Sequence, residues 1–448
     1  MKKFLFVLAL VLCLGLSAFA LDGEGTEESP FIIENVEDLM LISDFPDCYF
    51  NLGCDIDLEG ATWTPLCKNS GSFTGVLDGC GYTISELKIA SNQEYSGLIN
   101  KNDGIIKNLT VTTITTDYTT SYTGNRYYGI ISGNNTNTIE NCNVIGKITA
   151  TNSGKRNSVN YAYFGGITGD NTGLINYCSS DVYIKSNGSY DSFSGSNHMA
   201  PYDNKCYSSN GGIAGKNDGG TISFCSVKVE MVKENYNTLY GISNNGTILN
   251  CYAIGTGVTY GISQTATIEN CYAAITNSSY GISYSGTRTN CVFDQTISKD
   301  TTGDYGTPKT TAAMKMKQTY TRENWNFDNV WGISKDINDG YPYLRWEYPN
   351  IKEVFTQTSA YEYDHKLVFD VEINTDITSK LTQISIYGEG GRFIRNFMIP
   401  NLSDKKDITV VIDNEEDAVS AKIFVWENTE SIKPLADCEE VQIVRNEA

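Results

Sequence analysis

Three segments of this chain align without a gap at a period of 20 residues: Tyr240-Gly241-Ile242-Ser243 leading to Asn250-Cys251-Tyr252, Tyr260-Gly261-Ile262-Ser263 leading to Asn270-Cys271-Tyr272, and Tyr280-Gly281-Ile282-Ser283 leading to Asn290-Cys291. Looser copies precede them. Gly97-Leu98-Ile99 leads to Asn108-Leu109, Gly129-Ile130-Ile131 to Asn141-Cys142, Gly165-Gly166-Ile167 to Tyr177-Cys178, and Gly211-Gly212-Ile213 to Phe224-Cys225. Repetition on this length scale signals a solenoid, in which one unit buries its apolar face only against its neighbours. Within each copy, apolar residues alternate over three to five positions and then meet Gly or Asn, the pattern of strand, bend, strand. Helical spacing is absent from residues 95 to 300. The predicted fold is all-β: a right-handed single-stranded parallel β-helix with three short strands per turn.

Each repeated residue type has a physical task in such a coil. Gly supplies a positive φ at a corner, or lets a strand turn sharply beside the neighbouring rung. Ile points inward and stacks on the Ile of the next rung. Asn before Cys is expected to bond the Asn above and below, forming an axial ladder. Cys fills a small apolar position.

Of the 13 Cys, Cys142, Cys178, Cys225, Cys251, Cys271 and Cys291 occupy the repeat position. Neighbouring rungs lie about 4.8 Å apart, whereas a disulfide needs Cβ atoms about 3.8 Å apart. That mismatch argues for a column of free buried thiols. Cys48/Cys54 and Cys67/Cys80 are the better disulfide candidates, with connectivity left open. No C-x-x-C is present and the chain has only His198 and His365, so neither a zinc site nor another metal or cofactor is expected.

The chain divides into a signal peptide (1–20), an N-terminal cap with first rungs (21–94), the repeats (95–300), a C-terminal cap (301–350) and a small antiparallel β-sandwich (351–448). Lys2 and Lys3, the apolar run Phe4 to Leu16 and Ala18-Phe19-Ala20 form the signal pattern, so the mature chain is expected to begin near Leu21 and to be secreted. No later segment reaches the ~18 consecutive apolar residues of a membrane span. A short helix after Asn35, with Leu39, Met40 and Ile42, is expected to cover the first rung. A second is expected over Thr310 to Gln318, with Trp325, Trp331, Tyr341 and Tyr343 plugging the far end of the core. The strand-like runs Leu367–Ile373, Ile384–Tyr387, Val410–Ile412 and Ala421–Trp426 give the sandwich.

Function is less legible. A net charge of −20 excludes a nucleic-acid partner on electrostatic grounds. Polar inserts near residues 113–127, 149–162 and 184–209 carry Tyr118, Tyr122, Tyr127, Tyr190, Tyr202 and Tyr207 among small polar residues, a composition suited to binding proteins or glycans. These six are the candidate ligand-binding residues, on what are expected to be loops. Asp55, Asp57 and Glu59 alternate on one strand but read as structural, and no catalytic residue stands out. The leading reading is a secreted or cell-surface, non-enzymatic binding or structural protein with a host or cell-surface protein or glycan as partner. The alternative is a polysaccharide-binding or polysaccharide-cleaving β-helix protein.

The pattern G-G-[IL]-x-G-x-N-x-G-x-I-x-N-C, clearest at Gly165 to Cys178 and Gly211 to Cys225, resembles the GLUG-motif family of secreted and surface bacterial proteins, including non-catalytic regions of IgA-protease-like metallopeptidases. The likeness extends over about residues 30–346, through Cys54-Asp55-Ile56-Asp57-Leu58, Phe73-Thr74-Gly75-Val76-Leu77-Asp78-Gly79 and Gly340-Tyr341-Pro342-Tyr343-Leu344. It implies fold and location. It does not imply proteolysis, since two His residues 167 positions apart cannot form the family's His-Glu-x-x-His helix.

Overall fold

The computed structural model describes residues 21–444 except 70, 90–92, 121–123, 153–158, 189, 194–201, 235–236, 301, 322, 324, 328, 335–336, 350–354, 365, 374–380, 401–406, 414–416 and 427–438. The signal pattern and Tyr122 lie outside the described residues. The chain forms two compact units, one running to Leu344 and one from Arg345, the second also taking Phe327–Asn329. Among the described residues no helix is long and apolar enough to cross a membrane.

The first unit is a parallel β-helix. An isoleucine face of ten strands runs from Phe31–Ile33 to Ser283–Thr289, and a post-cysteine face runs from Ile56–Asp57 to Thr307–Lys309. A pre-glycine face contains Tyr95–Ser96, Arg126–Gly129, Val159–Gly165, Tyr202–Gly211 and Asn237–Tyr240. A short fourth sheet contains Ile99–Asn102, Ser132–Asn135, Thr168–Asn171 and Ala214–Asn217. Repeats pair in register, as Thr138↔Leu174 and Ile139↔Ile175 illustrate. Ile106, Ile139, Ile175, Ile222, Ile248 and Ile268 form one inward column, all at 0% exposure. Fully burying such a side chain is worth about 1.5–3 kcal/mol, so stacked apolar columns supply the main stabilisation.

The rung has four strands, not three, between residues 95 and 233. At the added bend stand Gly133, Gly169 and Gly215, with Asn100 in the first of these rungs. A Cβ on Gly169 would lie 2.4 Å from Tyr128 N, and one on Gly215 2.5 Å from Phe164 N. Asn244 and Gln264 follow at these positions, the bend is lost, and Ser263–Glu269 runs as one strand. The repeat glycines thus serve close approach: a Cβ on Gly261 would sit 1.9 Å from Gly281 O. Positive φ falls instead on the residue before the Cys position: Asn108, Asn141, Tyr177, Phe224, Asn250, Asn270 and Asn290 all lie at φ 49–54°.

The asparagine ladder is also displaced from its expected place. At the corner, Asn141 Nδ2 donates to Asn108 Oδ1 (2.7 Å) and Asn290 Nδ2 to Asn270 Oδ1 (3.0 Å), but Tyr177 and Phe224 interrupt the series. The buried ladder is on the short sheet. Asn102 Nδ2 donates to Asn135 Oδ1 (2.7 Å), Asn135 to Asn171 (2.8 Å), Asn171 to Asn217 (2.8 Å), and Asn217 to the Asn245 carbonyl (2.9 Å).

The ten cysteines whose side chains are described are free. The six repeat thiols form a buried column, each within 3.2 Å of the carbonyl two residues earlier. Backbone amides of Cys142, Cys225 and Cys251 donate to the sulfur of the next rung at 3.3–3.4 Å. The expected Cys48/Cys54 and Cys67/Cys80 pairings are not present. Cys54 bonds the Glu34 carbonyl (3.2 Å), and Cys67 is buried beside the Ile42 carbonyl (3.8 Å).

Where they are described, the inserts are lengthened strands. Asn143–Asn152 pairs with Ser179–Gly188 along its whole length, and Val159–Gly165 with Tyr202–Gly211. They prolong the core, burying Ile148, Ile184, Ala162 and Met231. At the entrance, Val36–Leu41 is helical with Asn35 Oδ1 accepting from Asp38 N, and it buries Leu39 while Met40 is 57% exposed. At the exit the helical turns are Thr311–Met314 and Gln318–Thr321. The aromatic cluster lies against the flank of the last rungs, not across the open end. Cys251 and Ala253 point inward, so Tyr252 between them points outward; Trp331 packs on Tyr252 (6.3 Å between ring centroids) and on Tyr272 (6.1 Å). Tyr272 donates to the Pro342 carbonyl (2.6 Å). The last isoleucine-face strand carries Arg288 at the register position of Ile268, an inward charge that blunts a free edge.

The second unit is one seven-stranded sheet curled over a single core of Ala360, Leu367, Phe369, Val371, Ile384, Ile386, Ala421, Ile423, Val425 and neighbours. Its strand pairs are antiparallel except Phe355–Tyr363 with Glu439–Val444.

Two measurements check these stacks. Asn171→Ala strips Asn217 Oδ1 of its amide donor and Asn135 Nδ2 of one of its acceptors, and should lower stability by about 1–3 kcal/mol in urea titration; an unchanged midpoint would contradict the ladder. Thiol titration of the unfolded, unreduced chain should find at least the six repeat thiols free.

Candidate functional site

With the interior filled by stacking, the outward positions are where a ligand can be met. Of the nominated tyrosines, Tyr118 lies in the strand Thr110–Thr120, Tyr190 in Tyr190–Phe193, and Tyr202 in Tyr202–Gly211; their side chains are outside the described residues. Tyr127 lies in Arg126–Gly129 and is 8% exposed, and Tyr207 is half-buried in Tyr202–Gly211. Tyr127 and Tyr207 belong to a tyrosine stripe along the pre-glycine face. Tyr127 is stacked between Tyr95 (5.0 Å) and Tyr163 (5.1 Å), and Tyr207 stacks on Tyr161 (5.3 Å). Further along, Tyr240, Tyr260 and Tyr280 stack at 5.5 and 4.7 Å. In such a column each interior ring spends both faces on its neighbours, leaving edges and hydroxyls outward.

Beside the stripe, the short sheet brings Lys101, Asn134, Asp170 and Lys216 into one cross-strand column. Lys101 Nζ sits 4.5 Å over the Tyr95 ring, a cation–π contact. Asp170 is 8% exposed, with Lys216 Nζ 3.7 Å from Oδ1, and the same ammonium lies 3.5 Å from Asp218. Burial pushes the Asp170 carboxyl up, against the pull of Lys216 and with the push of Asp218. Burial likewise raises the Tyr95 and Tyr163 phenols.

A second outward feature was not recognised in the sequence as a site. At the left-handed corner before the Cys column, five rungs use Asn, whose short side chain tolerates this conformation. Tyr177 (φ 50°) and Phe224 (φ 50°) take the same conformation with bulky rings. Such strain costs on the order of 1–3 kcal/mol per residue. The two rings stack at 4.9 Å, half-buried, a contact worth about 0.5–1.5 kcal/mol beyond the area it buries. The signal was visible as Asn-Tyr-Cys and Ser-Phe-Cys where other copies read Asn-Cys, but its meaning depends on the sign of φ.

The Asp170 carboxyl gives a pH test. Folding raises its pKa above the ordinary 3.8, so the folded state holds this proton more tightly than the unfolded one. Ionised Asp170 costs stability above its folded pKa, and the cost vanishes as pH falls below 3.8. Asp170→Asn should therefore raise Tm at pH 7, with the gap to the parent chain closing on acidification. A gap that is constant with pH would refute this assignment.

No family model matches the chain, and no solved structure matches it. Among curated proteins, one described as "Halomucin" from Haloquadratum walsbyi is 31% identical over 148 residues, 29% of this chain and 2% of that protein. One described as a Gly-rich membrane protein, from Evansella cellulosilytica, is 33% identical over 139 residues, 29% of this chain and 16% of that protein. The chain spans only these small fractions of both relatives.

Proposed function

We propose that this is a secreted or cell-surface-associated, non-enzymatic binding or structural protein of the GLUG-motif type, an adhesin-like β-helix scaffold. The observation that carries the reading is the division of labour across the rung. The Ile, Cys and short-sheet Asn columns are consumed inside, while the tyrosine stripe and its Lys/Asn/Asp neighbours lie outside that core, Tyr161 being 40% exposed and Tyr127 and Asp170 8%, on a rigid parallel framework. What supports the surface setting is the signal pattern at residues 1–20 together with the likeness to "Halomucin" and to a protein described as a Gly-rich membrane protein. The second reading, a polysaccharide-binding or polysaccharide-cleaving protein, is favoured by outward aromatic residues beside amide and carboxylate groups.

The two readings part in one experiment on the purified mature chain. Binding to intact cells and to immobilised glycans is measured alongside release of reducing ends from the same glycans. The first reading expects binding without cleavage. Reducing ends released in proportion to protein would overturn it in favour of the enzyme.

A further inference from the structure

We infer that the outer face of the second unit's sheet, on Leu381–Gly388, Phe393–Pro400 and Ala418–Trp426, binds an uncharged glycan chain. The inference deepens the surface-binding reading and rests on it. Alternation along a strand assigns the two faces. Ile384, Ile386, Ile423 and Val425 lie in the core of the unit, so Gln383, Ser385 and Tyr387 point outward, as do Lys422, Phe424 and Trp426. On the neighbouring edge strand the register sets Met398 beside Gln383, Asn396 beside Ser385 and Phe393 beside Tyr387. Phe393 is 57% exposed and Met398 53%, while Tyr387, Phe424 and Trp426 are half-buried. An antiparallel sheet that buries one face ordinarily turns polar residues to water on the other. Aromatic rings and a thioether gathered on one outer face form instead an apolar patch of the kind that marks an interaction surface.

The chemistry of the face selects the ligand. Tyr387 meets Phe393 edge to face (5.9 Å between centroids), Phe424 lies 6.4 Å from Trp426, and a row of uncharged side chains runs between these two ring groups. In that row Gln383 Nε2 donates to Ser385 Oγ (3.1 Å), and Ser385 Oγ donates to Asn396 Oδ1 (3.1 Å). Lys422, across from Ser385, is paired with Glu440 (3.8 Å), so the pair adds no net charge. Arg395 occupies the register position of inward Ile386 and lies over the Phe397 ring (5.0 Å). The far end of the same sheet differs. There the outward positions carry Lys366, Asp370 and Asp413, and Asp370 accepts from the Tyr361 and Thr409 hydroxyls (3.1 and 2.7 Å). Water satisfies a charged face of that kind. Rings around amides and a hydroxyl suit a polyhydroxyl ligand, whose C–H faces meet the rings and whose hydroxyls meet the amides. A face without net charge also gives an anionic polymer no attraction. Gln383, beside Phe424, and Tyr387 are four residues apart on one strand, about 13 Å at the strand rise. A chain of sugars, and not a single one, would bridge both ring groups.

The test is affinity electrophoresis of the mature chain in gels containing β-glucan, mannan, galactan or, as the anionic control, polygalacturonate. The parent chain is compared with Phe393→Ser/Met398→Ser, which removes the two most exposed apolar groups of the face, and with Phe424→Ala. Two controls keep the face: Phe393→Trp retains a ring, and Tyr363→Ser removes an exposed ring (70%) at the other end of the sheet. At least one neutral polysaccharide should retard the parent and both controls. Phe393→Ser/Met398→Ser and Phe424→Ala should bind at least tenfold more weakly, the double variant with an unchanged Tm. The proposal is overturned if no neutral polysaccharide retards the parent, if only polygalacturonate does, if the two face variants bind as the parent does, or if Tyr363→Ser loses binding equally. It is also overturned if every variant that loses binding melts well below the parent, or if the parent sediments as a dimer that the double variant breaks, since the face would then serve the fold or a contact between copies. Cell binding by a parent chain that no neutral polysaccharide retards would leave the surface-binding reading standing and remove only this site.

Discussion

The close approach of one rung to the next governs this molecule. Parallel strands at about 4.8 Å spacing force equivalent residues into contact, so each position in the rung becomes a column with its own selection rule. Where backbone meets backbone, only glycine fits, as at Gly241 and Gly261, where an added Cβ would lie 1.9 Å from the next rung's carbonyl. Where side chains meet inside, isoleucine and a small thiol repeat. Where amides meet in the interior, they must bond each other, because a buried unpaired amide costs more than the bond contributes. The Asn102–Asn135–Asn171–Asn217 ladder satisfies that rule.

The same spacing explains the chain's tolerance of variable rung length. Successive Cys positions are separated by 36, 47, 26, 20 and 20 residues, yet the columns stay in register. Where they are described, extra residues enter as strand extensions matched on the next rung, as in Asn143–Asn152 and Val159–Gly165, or as the local antiparallel pair of Tyr190–Phe193 with Tyr202–Gly211. Long polar stretches that look like loops by composition therefore become sheet, because the neighbouring rung offers a ready template.

Outward columns face a weaker rule, since water can satisfy them. That freedom is where function is expected, and two departures mark it. The tyrosine stripe self-stacks and presents edges and hydroxyls. The Tyr177–Phe224 corner sets bulky rings into a left-handed backbone. The first departure is a self-stacked column; the second is a stacked pair in the conformation that the other rungs give to Asn.

The sequence by itself determined the solenoid, its parallel strands, the inward Ile and Cys columns and the change of architecture beyond the last repeat, because each follows from a repeating pattern that a local reading can detect. It also assigned free thiols to the repeat position from geometry alone. Three things needed the tertiary structure. The buried Asn ladder lies on the short sheet, while Asn pairs before the Cys position bond at Asn108–Asn141 and Asn270–Asn290, because which Asn faces inward depends on the added bend of the rung. Where they are described, the inserts with Tyr118, Tyr127, Tyr190, Tyr202 and Tyr207 are strands, because Tyr118, Tyr127 and Tyr207 pair with neighbouring rungs while Tyr190 and Tyr202 lie in a local antiparallel pair. The Tyr177–Phe224 corner stands out only once φ is known, since a residue type tells nothing of strain until the backbone it must adopt has been fixed by its neighbours.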